Sequence, residues 1–195
     1  MKLSLKGDRD LSPKSAFVKR PYPPGMHGAK KGSRRGKSEY GTQLLEKQKL
    51  KWTYGILERQ FKRYFFQAQK ERGVTAEALV EKLEQRLDNV VYRLGFAPSR
   101  PSARQMVTHG HINVNGRRVS IPSYSASIGD VIALRDASRP KGVARELGNR
   151  LKKYEAPKWL ALDRERLEGK VIGRPLRDEA GIPSDIQKIV EFYSR

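Results

Sequence analysis

Residues 86–134, RLDNVVYRLGFAPSRPSARQMVTHGHINVNGRRVSIPSYSASIGDVIAL, leave this chain few ways to fold. Asn115-Gly116 sits between the alternating runs Ile112-Asn113-Val114 and Arg117-Arg118-Val119. A two-residue type I′ turn needs positive φ at both central positions, which Asn-Gly accepts with little strain, so a tight hairpin is predicted here. Ile128-Gly129-Asp130 predicts another turn, and Val131–Leu134 another strand. Ahead of the hairpin the apolar spacing is helical. Leu87, Val90, Val91 and Leu94 share one face, and the pattern stops at Gly95, a residue suited to end a helix. From Ser99 to about His109 a second helix is predicted. Ala103, Met106, Val107 and Gly110 share its apolar face, Arg104, Gln105 and Thr108 lie opposite, and Arg100 lies at the edge. Ser99 can cap it, and Pro101 in its first turn removes no intrahelical bond. Its free N–H groups and positive dipole end, beside an arginine, make a seat for phosphate.

Two helices and a hairpin can therefore point a set of polar groups at one partner. Arg86, Asn89 and Arg93 run along the edge of the first helix, where Asp88 is expected to pair with and orient an arginine. Arg100, Arg104 and Gln105 come from the second helix, and His109, His111, Asn113, Asn115, Arg117 and Arg118 from the hairpin and its approach. Arginine presents a planar fork that donates two bonds to a phosphate. Structured RNA is read largely through its shape, its 2′-hydroxyls and its phosphates. Two histidines without further ligands do not make a metal site, and they are expected to face RNA or the hairpin.

The charge balance supports an anionic partner. The 195 residues carry 41 Lys+Arg against 21 Asp+Glu, a formal net charge of +20. Residues 1–83 contribute +12, residues 84–134 +3 and residues 135–195 +5. Between Asp10 and Glu39 there is no acid, but there are eight bases: Lys14, Lys19, Arg20, Lys30, Lys31, Arg34, Arg35 and Lys37. Such a surface attracts nucleic acid or an anionic membrane. There is no cysteine, so neither a disulfide nor a thiolate metal site can form. No apolar run approaches the roughly 18–20 residues that span a bilayer. No apolar h-region follows the first residues, so the chain reads as soluble and intracellular.

Outside 86–134 the pattern is mixed. Residues 12–38 hold Pro21, Pro23, Pro24, Gly25 and Gly28, which oppose a regular helix, so an extended basic arm that orders on a partner is expected. Ser38 to about Lys70 turns helical, with a break near Trp52, Tyr54 and Gly55. Leu57, Phe61, Tyr64 and Phe65 make one apolar face, read as core rather than as a base-stacking platform. Thr75 is a candidate N-cap, with Val74 and Leu79 as a hydrophobic staple, and the helical pattern runs on from Leu83 to Leu94. Residues 135–150 are basic and weakly patterned, with Leu147 and Leu151 hinting at a helix, and Trp159–Leu162 and Lys170–Ile172 read as short strands. Ser184 and Gln187 match a capping box, and Ile186, Ile189, Val190 and Tyr193 form a helical face to be buried on the N-terminal helices.

The stretch 86–134 resembles the S4-type RNA-binding module. Three further stretches, RPYPPGMHG (20–28), SEYGTQLLEKQKLKWTYGILERQFKRYF (38–65) and IVEFYSR (189–195), resemble the bacterial small-subunit ribosomal protein four family, over nearly the whole chain. The resemblance implies an α+β fold, in which a mostly helical domain from both chain ends joins an S4-type module, two helices and a hairpin, on a small antiparallel sheet. The organisation expected is a basic arm (1–37), helices (38–83), the module (84–150), and short strands with a C-terminal helix packing back on the first domain (151–195).

The resemblance also implies direct binding to 16S ribosomal RNA at a multi-helix junction of the 5′ domain. It implies early binding that helps nucleate the small-subunit body, and a place near the messenger-RNA entry path beside ribosomal proteins three and five. With proteins five and twelve, it implies an effect on decoding accuracy. Some members also repress their own message. The expected location is the small ribosomal subunit in the cytoplasm, or in an organellar stroma or matrix, with no membrane partner. On this reading the RNA surface also takes in the arm, through Lys19, Arg20, Tyr22, Lys30, Lys31, Arg34, Arg35 and Lys37. The first helices add Tyr40, Lys47, Lys49, Lys51, Arg59, Lys62 and Arg63. Members often begin with an additional basic stretch, and this chain enters part-way along it, so Met1 reads as an internal start or a trimmed end. Some members hold zinc on four N-terminal cysteines. Asp10 and Ser15 stand where two of these would fall, so no metal or other cofactor is expected.

Two rival classes are opposed by the rest of the sequence. An enzyme carrying the same module would need a separate catalytic domain, and no Gly-rich phosphate loop, nucleophile motif or patterned carboxylate cluster is present. A free RNA chaperone or ribosome-rescue factor would lack the YPPG arm and the EFYSR ending.

Overall fold

Two apolar patterns, one on the helices of the chain ends and one in the middle, build two separate cores. The computed structural model describes the chain apart from residues 1–2, 4, 23–24, 29–35, 37, 139–146, 149, 153, 183 and 195. Near the start are two four-residue helices, α1 (Asp8–Leu11) and α2 (Ala16–Lys19). The second corrects the expectation of an arm without helix: one turn forms in the interval between Pro13 and Pro21.

The first core belongs to α3 (Glu39–Tyr54), α4 (Glu58–Gln69), α5 (Thr75–Glu84) and the C-terminal α8 (Ile186–Tyr193). Leu50, Phe61, Phe65, Leu79, Val80, Leu83 and Ile189 have no exposed surface there, so Phe61, Tyr64 and Phe65 of the expected face are core, whereas Leu57, the extended residue before α4, is 80 % exposed. The Tyr193 ring stacks on Phe65 at 4.6 Å between centroids, and its hydroxyl donates to Glu58 Oε1 at 2.8 Å. The amphipathic C-terminal helix thus packs on the N-terminal helices, as its face required.

The second core joins α6 (Leu87–Arg93) and α7 (Arg100–Thr108) to a five-stranded antiparallel sheet. The strands are β1 (Ile112–Val114), β2 (Arg117–Arg118), β3 (Val131–Leu134), β4 (Leu160–Asp163) and β5 (Glu168–Val171), in the order β2-β1-β3-β5-β4. The hairpin register pairs Asn113 with Arg118 and Val114 with Arg117. Asn115 and Gly116 both have positive φ, 50° and 77°, as the I′ turn demands. β5 pairs with β3, and Trp159, Leu160 and Val171 are buried beside Leu94 and Ile132. The β4–β5 hairpin therefore completes the module's sheet, and of the C-terminal segment it is α8 that returns to the helical core. Leu147 and Leu151 are buried in the module core with helical backbone around them.

Three local expectations give way to tertiary structure. The helix expected to run from Thr75 to Leu94 is broken at Arg86, whose backbone is extended and bridged to Ser125. The segment 122–126 takes the backbone groups there: Leu87 N donates to Tyr124 O at 2.8 Å, and Ala126 N donates to Gln85 O at 2.9 Å. Thr75 is the first helical residue rather than the cap, and Val74 is exposed, so no staple forms. α8 is capped by Asp185, whose Oδ1 accepts from Gln187 N at 3.1 Å, rather than by Ser184, because Asp185 is the extended residue directly before the helix.

Ile189 anchors α8 from a fully buried position. Ile189→Ala should lower the unfolding free energy by about 2–4 kcal/mol in chemical denaturation. A change under about 0.5 kcal/mol would mean that α8 is not part of the cooperative core.

Candidate nucleic-acid interface

Where the two cores meet, the contact is polar and buried. Glu84, the last residue of α5, has no exposed surface. Its carboxylate accepts from Arg93 Nε and Nη2, both at 2.8 Å, from Asn89 Nδ2 at 2.8 Å and from the Tyr54 hydroxyl. Arg93 Nη2 also donates to the Ala180 carbonyl, on the helical side. Arg100 donates from Nε to Asn89 Oδ1 at 2.8 Å, and its guanidinium lies 4.8 Å from the Tyr54 ring centroid and 4.7 Å from that of Tyr92. Beside this cluster, Arg86 makes a two-bond fork onto Asp88, at 3.0 and 2.6 Å, and donates to the Tyr64 hydroxyl at 2.9 Å. Tyr54 and Tyr64 come from the helical unit and the arginines from the module, so these bonds tie one to the other.

The electrostatics follow from the geometry. Burial alone would raise the Glu84 carboxyl, but the bonds and charge of Arg93, the charge of Arg100 and the Tyr54 hydroxyl outweigh it and hold it below 4.5. Burial, and then the Glu84 charge, push the Tyr54 hydroxyl well up. Burial works against the charge of Arg86, but its bonds to Asp88 prevail, and Arg86 is held more firmly protonated than usual. Within the helical unit, Glu58 receives Lys47 at 2.6 Å and Lys51 at 3.0 Å. There too burial opposes the charge, and these lysines with Tyr193 bring Glu58 down to about 2.

These contacts correct part of the expected RNA surface. Arg86, Asn89 and Lys47 are 2 %, 1 % and 6 % exposed, so they face the protein interior. The reason is the same in each case: a partner elsewhere in the fold claims the donor. Arg93 and Arg100 are largely turned inward by Glu84 and Asn89, and Lys49 pairs with Glu46 at 2.5 Å. Asn115 serves the hairpin, donating to Asp130 at 2.8 Å and accepting from Val131 N at 2.9 Å. His111 is half-buried, with Nδ1 2.9 Å from Ser138 Oγ, and Asn113 is half-buried in β1. The expected role of Asp88 in orienting arginines matches its contacts, with Arg86 gripped directly and Arg104 Nη1 at 3.7 Å.

What remains outward forms two groups. On the module, Arg104, Gln105, His109, Arg117 and Arg118 are exposed along α7 and the hairpin. Ser99 caps α7 through its hydroxyl, which accepts from Ser102 N. Arg118 lies against the backbone of Gly110: a Cβ there would fall 2.1 Å from Arg118 Nε, so only glycine lets the guanidinium settle at this spot. On the helical unit and arm, Lys19, Arg20, Tyr22, Tyr40, Arg59, Lys62 and Arg63 are exposed. Lys30, Lys31, Arg34, Arg35 and Lys37 lie outside the described residues.

The sequence reading missed Glu84, Tyr54 and Tyr64. One signal was available for Glu84, because an acid in the last turn of a helix opposes the macrodipole and so marks a cation close by. Residues 84–134 hold only three acids, Glu84, Asp88 and Asp130. Glu84 and Asp88 are buried and Asp130 is bonded within the hairpin turns, and of the outer arginines Arg104 keeps a long contact to Asp88 at 3.7 Å. No helix among the described residues is long and apolar enough to cross a membrane.

An α+β scaffold that buries Glu84 and Asp88 at its seam and presents arginines outside it defines a basic, polyanion-binding protein of two lobes. Comparison with known proteins carries this further. Residues 1–84 match the family model of the ribosomal protein S4/S9 N-terminal domain, and residues 85–132 match that of the S4 domain. The small ribosomal subunit protein uS4 of Caldicellulosiruptor saccharolyticus is 52 % identical over 195 residues, covering all of this chain and 92 % of the relative. That of Thermus thermophilus is 50 % identical, and the uS4A protein of Symbiobacterium thermophilum 53 %, with the same coverage. The chain belongs to the uS4 family of small-subunit ribosomal proteins, a family of structural proteins rather than enzymes.

The lowered carboxylates give a pH dependence of known sign. Both folded values lie below 4.5, so the stability these groups supply is complete above that pH. It declines as the pH falls below 4.5 and is gone once the pH has passed the folded values, about 2 for Glu58. Glu84→Gln should lower stability at pH 7 by about 3–5 kcal/mol, because it leaves buried arginine without its anion. It should also flatten the acid limb of a denaturation series run from pH 7 to 3. An acid limb parallel to that of the unaltered protein would show that Glu84 is not its source.

Proposed function

We propose that this chain is a structural constituent of the small ribosomal subunit that holds 16S ribosomal RNA through phosphate contacts from two sides. The observation that carries this reading is the exposed row Arg104, Gln105, His109, Arg117 and Arg118 on a module whose helix acids, Glu84 and Asp88, are buried. The arm and the outer faces of α3 and α4 supply the second side, through Lys19, Arg20, Tyr22, Tyr40, Arg59, Lys62 and Arg63. Contacts to phosphate from two rigid lobes fix register on a folded RNA without reading base edges.

Such a grip suits a protein that binds a multi-helix junction early, steadies it, and so nucleates assembly of the subunit body. Its proposed neighbours are ribosomal proteins three and five at the messenger-RNA entry path, and with proteins five and twelve it contributes to decoding accuracy. The full-length likeness to proteins named as small-subunit components supports this setting. Constitutive one-to-one presence in mature small subunits is the outcome this reading requires of cofractionation, and absence from them would defeat it.

If about six phosphates are neutralised, log K against log[salt] for a 16S 5′-domain fragment should slope by roughly −4 to −5. A near-flat plot would sink the electrostatic account. Arg104 is 45 % exposed in its side chain, with only long contacts to Asp88 and to the Gly55 carbonyl. Arg104→Ala should therefore leave the fold intact, weaken RNA binding about fivefold and lower the slope by about one contact. Loss of folding instead would make Arg104 structural.

A further inference from the structure

Between α7 and the residues Leu147 and Arg150 lies a cleft of about 290 Å³. Three of its lining residues are apolar and belong to the module core: Phe96, Met106 and Leu147. The polar ones include the exposed Gln105 and His109 and the half-buried Arg150. Its size is near the lower end of pockets that enclose small ligands, roughly 300 Å³ and upward. Apolar walls suit the faces of a flat heteroaromatic ring, while amide, imidazole and guanidinium groups suit its polar edge. A phosphate donor stands beside the same residues, since Arg118 Nη2 lies 3.5 Å from the His109 carbonyl. An apolar slot next to a cationic row matches a nucleotide, whose base is apolar on its faces and whose phosphate is charged.

We propose that this cleft takes an unstacked nucleobase of the bound RNA, with Gln105 and Arg150 at its edge and Arg118 on a flanking phosphate. The proposal rests on the RNA-binding reading above and adds to it one base-sized contact that is not electrostatic. Unpaired RNA bases are commonly held in this way, by a face contact and by hydrogen bonds along the edge.

The chain holds three methionines, Met1, Met26 and Met106, so methyl-13C methionine reports the cleft directly. With a 16S 5′-domain fragment added, the Met106 methyl should move upfield through the ring current of a seated base. Ser102 also lines the cleft, and Ser102→Trp, which fills it, should weaken binding about tenfold while leaving the salt slope unchanged. Gln105→Ala should weaken binding about threefold, and it decides the matter, with the Met106 signal, if Ser102→Trp fails to fold. RNA that binds with Met106 unmoved and both variants at full affinity would overturn the nucleobase site and leave the phosphate grip standing. RNA that does not bind the unaltered protein would overturn both.

Discussion

The carboxylate of Glu84 is the point on which the two lobes depend. It ends α5 of the helical core and receives donors from both cores, Tyr54 on its own side and Arg93 and Asn89 across the seam. Arg93 carries the link back to the Ala180 carbonyl, and Arg86 with Asp88 and Tyr64 makes a parallel tie. Buried ion pairs of this kind add little net stability over an apolar contact, because desolvation offsets their attraction. What they add is direction. An apolar seam can slide, whereas a fork of two bonds at 2.8 Å holds one angle.

That angle matters because the cations which can reach a ligand lie on both lobes. The arginines divide by whether a buried group holds them in a short hydrogen bond. Arg86, Arg93 and Arg100 are drawn inward by Asp88, Glu84 and Asn89, and Arg104, Arg117 and Arg118 stay outward. The inner set positions the outer set. Phosphates are spaced by the RNA fold, so a grip on two sides works when the distance between the sides is fixed before binding. The cleft beside α7 would add shape to a contact otherwise made of charge.

Much of this was legible from the sequence, and the rest failed for physical reasons. Asn115-Gly116 gave away the hairpin because few residues tolerate its backbone, and the faces of α4, α7 and α8 showed in their apolar spacing. The break at Arg86 did not show, since the segment that competes for its neighbours' backbone groups lies 36–40 residues away, at 122–126. The strand at 170–172 was legible, but its pairing with β3, distant in the chain, was not. Least legible was which arginines face out. A helical edge looks alike whether it meets water or a buried acid, and Lys47 and Arg86 turned inward because Glu58 and Asp88 were waiting there.

The most direct test is the distance between the lobes. The chain has no cysteine, so Gln67→Cys on α4 and Lys170→Cys on β5, both at exposed positions, admit a pair of spin labels with no background. Pulsed electron–electron resonance on the free protein should give one narrow distance distribution, and Glu84→Gln should broaden or shift it while both lobes keep their secondary structure. An unchanged narrow distribution in the Glu84→Gln protein would contradict the claim that this buried carboxylate sets the geometry of the grip.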